Sequence, residues 1–581
     1  MGPGLRVVRG HGAARTRDGH RRRPRGRACV ESGREHLLVG QCAGGRAAVP
    51  GDGGPRADRC HGGFGTSNLS VGASRAGRSA VLILSDSLHS EGRQPRSDVS
   101  EQVIAIVLAA GAGTRMKSRR AKVLHEIAGR PMLGHALDAV RGAGVDRVVT
   151  VVGHDREQVE AAVAELEPSA TIAVQTQQLG TGDAVRVALD ALDVSAETYL
   201  VTYADVPLLT AETLRSLVDE HRAASRAVTI LTSEPQDPTG YGRILRDEAG
   251  SVIAIREHKD ATEAERATRE VNSGILVVDG PFLDRAVRAL STENAQGELY
   301  LTDIVGQAVA EGLPVGAHVL EDVWQTEGVN DRRQLVRLGR ELNARIVDRW
   351  LAEGVTIVDP ETTWIDTAVT IGRDTTLLPG TQLLGATTVG EGVTIGPDTT
   401  LRNIEVGDDA TVERTHGSDS TIGAGATIGP FAYLRPGAVI DDGAKVGTFV
   451  EIKNSHIGPG AKVPHLSYIG DAEVGEGTNL GAGAITANYD GIRKHRTTIG
   501  AQVKTGCHNV FVAPVELGDG AHTGAGAVVR EDVPPGALAV PAAGQRTIEG
   551  WVASRRPGTP SAVAADQNTQ ETSGGDEQEP Q

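Results

Sequence analysis

In the C-terminal third of the chain, aliphatic residues recur every six positions. Ile371, Leu377, Leu383, Val389, Ile395 and Leu401 form one run, and Ile422, Ile428, Leu434, Ile440, Val446 and Ile452 form a second. A period of six matches neither the 3.6 residues of an α-helical turn nor the two-residue alternation of a half-buried strand. It predicts a parallel β-helix of hexapeptide repeats, each aliphatic side chain pointing inward and stacking on its equivalent in the next coil. Glycines directly after the aliphatic position (Gly372, Gly390, Gly396, Gly429) suit the tight corners between short strands.

Upstream the pattern changes. Residues 103–108 are a continuous apolar run, and further apolar stretches at 148–152 and 198–202 alternate with amphipathic helical segments. That alternation predicts an α/β, Rossmann-like domain with a mostly parallel sheet. Leu335, Leu338, Leu342, Ile346 and Trp350 then fall at three- and four-residue spacing and predict a linking amphipathic helix. The expected organisation is therefore an extension over 1–98, an α/β domain over 99–332, a linker helix over 333–353, a β-helix over 354–556 and a tail over 557–581.

Composition sharpens the ends of this scheme. A chain of 581 residues exceeds one hydrophobic core. Aromatic content of only 3% with 74 glycines suits a thin, aliphatic solenoid interior. The net charge of −16 is uneven: residues 1–100 hold 17 Arg, no Lys and 8 acidic residues, about +9, leaving about −25 for the rest. An acidic body argues against non-specific nucleic-acid binding. No run of 18 apolar residues occurs, so no membrane span is expected. The first hundred residues lack hydrophobic periodicity beyond a short stretch at 80–84, which predicts a disordered extension or a reading frame carried upstream of a start near Val99. The tail is Ser-, Gly-, Gln- and Glu-rich without periodicity, so disorder is expected there too. Cys29, Cys42 and Cys60 lie in the extension and Cys507 stands alone in the body, which excludes a disulfide framework there and points to a cytoplasmic protein.

The chemistry begins after the first apolar run, at Ala109-Ala110-Gly111-Ala112-Gly113-Thr114-Arg115-Met116. A glycine-rich turn after a strand brings backbone N–H groups to phosphate oxygens because no Cβ intervenes. Gly-x-Gly alone is equally a tight turn, and it is neither a P-loop nor a full dinucleotide fingerprint. Taken singly, Asp205 before Val-Pro reads as a turn residue, Lys122 as a surface lysine, and Asn330 as an N-cap for the following helix.

The joint order of motifs is more specific. Leu108-Ala-Ala-Gly-x-Gly-Thr-Arg-Met with Lys122-Val-Leu-His resembles the sugar-1-phosphate nucleotidyltransferases. Added to the hexapeptide repeat, residues 103–553 resemble the bacterial family of bifunctional N-acetylglucosamine-1-phosphate uridylyltransferase/glucosamine-1-phosphate acetyltransferases. Further matches are Gln175 with Gly180-Thr181, Tyr203-Ala204-Asp205, Tyr241-Gly242-Arg243, Glu257-His-Lys-Asp, Asn272-Ser-Gly and Glu327-Gly-Val-Asn330. The resemblance implies that Asp205 and Asn330 hold Mg²⁺, and that Arg115 and Lys122 stabilise triphosphate charge. It places Leu108, Ala109, Ala110, Gly111 and Tyr203 in the nucleotide and sugar site, with Gln175, Gly180 and Thr181 on uracil and Gly242, Glu257 and Asn272 on the N-acetylglucosamine portion.

In the repeat region the matching segments are Leu434-Arg435-Pro436, Glu451-Ile-Lys453, Pro464-His465-Leu-Ser-Tyr468, Asn479-Leu-Gly-Ala482 and Asn488-Tyr489-Asp490-Gly. The family then implies a left-handed β-helix that forms a homotrimer, with His465 as the base that deprotonates the sugar amine; histidine has the fitting pKa for that task. Arg435 and Lys453 would take the sugar phosphate, and Glu451, Tyr468 and Asn479 would orient substrate. Ala482, Asn488, Tyr489, Cys507 and Ala525 would line acetyl-CoA, the Ala482 N–H facing the thioester oxygen. Four positions depart from the family: Ala121 for Pro, Ala204 for Gly, Cys507 for Ser, and Ala542 for a late arginine. The substrates implied are UTP, acetyl-CoA and the two sugar phosphates. The competing expectation is a monofunctional nucleotidyltransferase whose β-helix only trimerises.

Overall fold

The computed structural model describes residues 102–541 and 543–573. The expected extension, Ala542 and residues 574–581 lie outside them.

The α/β domain is built on seven principal strands: β1 Val103–Leu108, β2 Arg147–Val152, β3 Thr171–Val174, β4 Thr198–Tyr203, β5 Val228–Ser233, β6 Val271–Asp279 and β7 Val315–Val319. Their order across the sheet is β7-β5-β6-β4-β1-β2-β3, with β6 antiparallel to both neighbours and the other pairings parallel. A hairpin, Arg243–Arg246 with Val252–Arg256, extends from β6. All six β1 residues are buried because the strand feeds two cores at once. Ile104, Ile106 and Leu108 pack with helices Thr181–Asp190 and Gly280–Arg288. Val103, Ala105 and Val107 pack with helices Met132–Gly142 and Ala211–Ala223. Burial on both faces is what a continuous apolar run encodes in a parallel sheet.

The linker helix spans Arg332–Ala352 and belongs to two cores. Leu338 packs with Met116, Ile127, Met132, Leu208 and Val329 of the α/β domain. Two to three turns later Ile346, Val347 and Trp350 enter the core of the β-helix. Buried Asn343 fixes this end: its Nδ2 donates to Thr363 O (2.9 Å) and its Oδ1 accepts from Ile365 N (3.1 Å).

In the β-helix three short strands make one coil, and parallel pairing joins residues 18 apart: Ile365 to Leu383 to Leu401, Ile371 to Val389, and Leu377 to Ile395. All twelve aliphatic positions of the two sequence runs are buried, none more than 8% exposed. The break in phase between Leu401 and Ile422 has a local cause. Ile404 fills the interior from an extended strand, Thr400–Val406, and Gly417 takes the inward position paired with Leu401 on the next coil, where a Cβ would come 2.7 Å from the Ile404 side chain.

The tail expected to be disordered contains helix Pro560–Ser573. Pro560 stands at its first position, and the Thr559 hydroxyl accepts from Ala562 N (3.4 Å), so the start signals are present although the periodicity is not. Among the described residues, no helix is long and apolar enough to cross a membrane.

Candidate active sites

Leu108, Ala109, Ala110, Gly111, Lys122, Gln175, Gly180, Thr181, Tyr203 and Asp205 line a single cavity of about 300 Å³. It opens at the C-terminal ends of β1 and β4, where open parallel sheets bind ligands. Gly113 is required twice over: its φ is +57°, and a Cβ would come 2.6 Å from Lys122 Cβ. Gly111 has nothing within 4 Å of a Cβ, which leaves its backbone open to a ligand.

Cationic side chains are already partnered at the cavity wall, where Lys122 and Asp205 line it, and just outside it, where Arg115 and Asn330 stand. The Lys122 ammonium forms an ion pair with Asp205, with side chains only 12% and 17% exposed. Arg115 Nη2 donates to Asn330 Oδ1 (2.7 Å), and Val329 N donates to Asp205 O (2.9 Å), which places the two pairs side by side. Asp205 does stand in a turn, directly after β4, but the plain readings of Lys122 and Asn330 give way. Lys122 is no surface lysine, and the N-cap of the linker helix is Asp331, which accepts from Arg333 N and Gln334 N. Asp205 and Asn330 offer oxygen donors to a hard divalent cation, and each of these oxygens now faces a cationic side chain, Lys122 and Arg115. Among the described residues, no cluster of three or more His, Cys, Asp or Glu forms a metal site.

Both amide protons of buried Gln175 are engaged, on Gly180 O (3.0 Å) and Asp183 Oδ2 (2.9 Å), while its side-chain carbonyl has no hydrogen-bond donor among the described residues. Gly180 has φ +113° and its Cβ position lies 2.6 Å from Leu299 O, so no larger residue fits. Gly242, Glu257 and Asn272, expected from the sequence to face a sugar, lie together. Asn272 N donates to Gly242 O (2.9 Å), and a Cβ on Gly242 would sit 3.4 Å from Glu257 Oε1. Burial holds the Glu257 carboxyl above the usual carboxylate range, while a hydrogen bond from Thr302 Oγ1 (3.0 Å) opposes it. Burial likewise raises the Tyr203 phenol, which stays a donor. At two departures from the family pattern, Ala121 and Ala204 are 3% and 0% exposed, pack in the core and do not line the cavity. Gln178 and Glu298, not singled out from sequence, also line it, Gln178 through a hydrogen bond to Ala110 O (2.9 Å).

The second group lies on the outside of the β-helix. Arg435 Nη1 meets Glu451 Oε1 at 2.9 Å, one coil apart, and this carboxylate holds the guanidinium pKa up. Lys453 Nζ lies 3.0 Å from both oxygens of Asp471, which also accepts from Asn488 Nδ2 (2.5 Å). Asn488 reaches Tyr468 Oη at 3.4 Å. The sequence reading missed Asp471. Between Ala487 and Thr497 the repeat is interrupted by a loop that Asp490 organises, accepting from Ile492 N (2.7 Å) and Arg493 N (2.6 Å) and pairing with His495 (2.7 Å). These bonds, the Arg493 N–H foremost, push the Asp490 carboxyl down to about 2. Tyr489 stands 61% exposed on the loop.

Ala482, Cys507 and Ala525 rise in one column on successive coils, each after a glycine. His508 N bonds Ala482 O (2.7 Å), Gly526 N bonds Cys507 O (2.9 Å), and a Cβ on Gly506 would come 2.5 Å from Ala525 N. The neighbouring contact, Gly483 N to His465 O (3.1 Å), sets His465 one coil before Ala482. The His465 ring is exposed, and among the described residues it forms no hydrogen bond; the Ala482 N–H forms none either. Asn479 lies on the adjoining face, between Lys462 and Lys504. Cys507 is an exposed free thiol in mid-column.

Comparison with known proteins agrees with both halves. Residues 105–273 match the MobA-like NTP transferase domain, and residues 419–454 the bacterial transferase hexapeptide (six repeats). The bifunctional protein GlmU of Paenarthrobacter aurescens is 58% identical over 464 residues, 79% of this chain and 93% of its own. Those of Rhodococcus opacus and Thermobifida fusca are 56% and 54% identical, each over 80% of this chain, covering 94% and 97% of their own length. The chain belongs to the bifunctional GlmU family and is an enzyme of UDP-N-acetylglucosamine synthesis with two activities, acetyl transfer to glucosamine-1-phosphate and uridylyl transfer to N-acetylglucosamine-1-phosphate.

Proposed function

We propose that the two residue groups above carry the two steps, acetylation on the β-helix first and uridylylation in the α/β domain second. In the second step an oxygen of the sugar phosphate attacks the α-phosphorus of UTP and pyrophosphate leaves. Two anions must meet, so charge neutralisation and in-line positioning dominate. Lys122 and Arg115 exchange their present partners for phosphate oxygens, and the glycine-rich backbone cradles the triphosphate. Asp205 and Asn330 hold Mg²⁺, which when bound neutralises charge on the phosphates. The Gln175 side-chain carbonyl accepts from the uracil ring, and Gly242, Glu257 and Asn272 hold the sugar.

In the first step the amine of glucosamine-1-phosphate attacks the thioester carbon. His465 takes the amine proton, the oxygen of the tetrahedral intermediate lies on the Ala482 N–H, and coenzyme A leaves as its thiol after protonation. Arg435 and Lys453 bind the sugar phosphate, with Tyr468, Asn479 and Glu451 orienting the ring. Ala482, Asn488, Tyr489, Cys507 and Ala525 contact acetyl-CoA. We further propose that three copies assemble along their β-helices in the cytoplasm. An exposed ridge supports this: Phe431 and Phe449 stack at 5.3 Å, 52% and 58% exposed, beside Leu466 at 62%. Leu466 adjoins His465, so a neighbouring copy on the ridge would close over the acetyl site.

The observation that carries the reading is the joint placement of His465 and the free Ala482 N–H on one corner. The test is thiol release from acetyl-CoA and glucosamine-1-phosphate by the full chain, beside His465→Ala. Release that depends on His465 upholds it. Pyrophosphate formation from UTP without any thiol release would leave the β-helix as a trimerisation block.

A further inference from the structure

The most heavily bonded side chain on the outside of the β-helix is Asp471. Its side chain is 11% exposed, at a coil corner with φ +51°, a conformation aspartate tolerates better than most residues. Two oxygens take three side-chain donors: Lys453 Nζ at 3.0 Å, Asn454 Nδ2 at 2.7 Å and Asn488 Nδ2 at 2.5 Å. Its backbone is tied as well, the N–H to Lys453 O (3.0 Å) and the carbonyl to Thr497 N (3.2 Å). Asp471 thus joins the coil that carries Lys453 to both ends of the interrupting loop, which leaves the repeat at Asn488 and rejoins it at Thr497.

The electrostatics give that junction a purpose. Lys494 on the loop faces Lys453, which depresses the Lys494 ammonium most; burial and the more distant Arg435 add to this, and Asp471 opposes it. Three cations suit a phosphate dianion, yet unbalanced they repel one another and would splay apart before it arrives. A buried carboxylate is retained at a cost unless it is fully paired, and here the pairing falls on two of the groups assigned to substrate. Burial works against the Lys453 charge, but the contact with Lys494 and then the hydrogen bonds and charge of Asp471 outweigh it and keep the ammonium pKa raised.

We propose that Asp471 is a positioning residue for acetyl transfer: it fixes the Lys453 ammonium for the sugar phosphate and the Asn488 amide for the acyl donor, and anchors the loop between them. The inference rests on reading the β-helix as the acetyltransferase.

The experiment is Asp471→Asn in the full chain, close to isosteric, alone and combined with Lys453→Met. Alone, the substitution raises the KM for glucosamine-1-phosphate about tenfold, and the alkaline limb of its pH profile moves to lower pH because Lys453 loses the anion that holds its proton. Uridylyl transfer by the same preparation stays unchanged and certifies the fold. In the Lys453→Met background the same substitution adds less than twofold. Asp471→Glu restores the alkaline limb because it keeps the charge, and it decides the matter should the Asn variant unfold. An unchanged KM, a tenfold loss that persists without Lys453, or an alkaline limb that ignores the charge at 471 overturns the proposal. A wild-type chain that forms pyrophosphate but releases no thiol would instead overturn the acetyltransferase reading beneath it.

Discussion

The two proposed sites would bind anions of similar chemistry by opposite constructions. In the α/β domain the paired groups come from far apart in the chain: Lys122 meets Asp205 across 83 positions and Arg115 meets Asn330 across 215. On the β-helix Arg435 meets Glu451 across 16 positions and Lys453 meets Asp471 across 18, one coil in each case. The first site is a concave pocket whose geometry depends on a whole sheet and its helices. The second is a patch of solenoid surface whose geometry depends only on register between adjacent coils. A pocket can be complete within one chain. A surface patch carrying an exposed His465 beside an apolar ridge calls for a second body to exclude water.

Separating the two activities breaks the comparison most sharply. Lys122→Ala removes a charge from the phosphate site and is expected to lower uridylyl transfer by about 10³-fold, with acetyl transfer within twofold of wild type. His465→Ala does the reverse, lowering thiol release by about 10²- to 10⁴-fold and leaving pyrophosphate formation intact. Cross-effects in either direction, measured on one preparation with both assays, would show that the sites are not independent.

Phe449→Asp tests whether only the surface site needs a partner. A carboxylate in the ridge would meet its own copies in the assembly, so the variant should sediment as a smaller species. It should also lose at least about tenfold in acetyl transfer, equivalent to ~1.4 kcal/mol, while uridylyl transfer holds. Full acetyl activity from a monomeric variant would make the β-helix site self-sufficient. Cys507→Ser has a smaller expected effect. The thiol replaces a hydroxyl of similar size on the open column, and the KM for acetyl-CoA should stay within about twofold, a difference below ~0.5 kcal/mol.

How far the sequence foretold these sites follows from the same contrast. The six-residue period located the β-helix interior residue by residue, since a solenoid core is local in sequence. It also carried a signal left unused: Asp471 stands one coil beyond Lys453, so writing the repeat in register brings them together. Phe431 and Phe449, likewise one coil apart, were legible in that way as a ridge. In the α/β domain the motifs named Lys122, Asp205 and Gln175, but Glu298 reaches the cavity from a loop after helix Gly280–Arg288, where no period places it. The phase break at Ile404 needed the structure too, because an inward residue that fills two places differs from any other isoleucine only by what lies opposite.

The smallest effect distinguishes how the two regions stay folded. His456 lies between two carboxylates on neighbouring coils, Nε2 to Asp441 Oδ2 at 2.6 Å and Nδ1 to Glu473, which Arg496 also holds at 2.7 Å. Partial burial disfavours the charged ring, but the two carboxylates outweigh it and raise its pKa above 6.5. A neutral imidazole can donate from only one nitrogen, so deprotonation turns the other lone pair towards a carboxylate. Because the folded pKa is the higher one, the clamp contributes fully below the unfolded value near 6.5 and fades as pH rises through the folded value. Thermal unfolding of the β-helix in wild type and His456→Gln should therefore differ most near pH 6 and converge towards pH 9, with the α/β domain unaffected. A gap of constant size across that range would mean that His456 holds the coils by shape alone, and its charge would then contribute nothing.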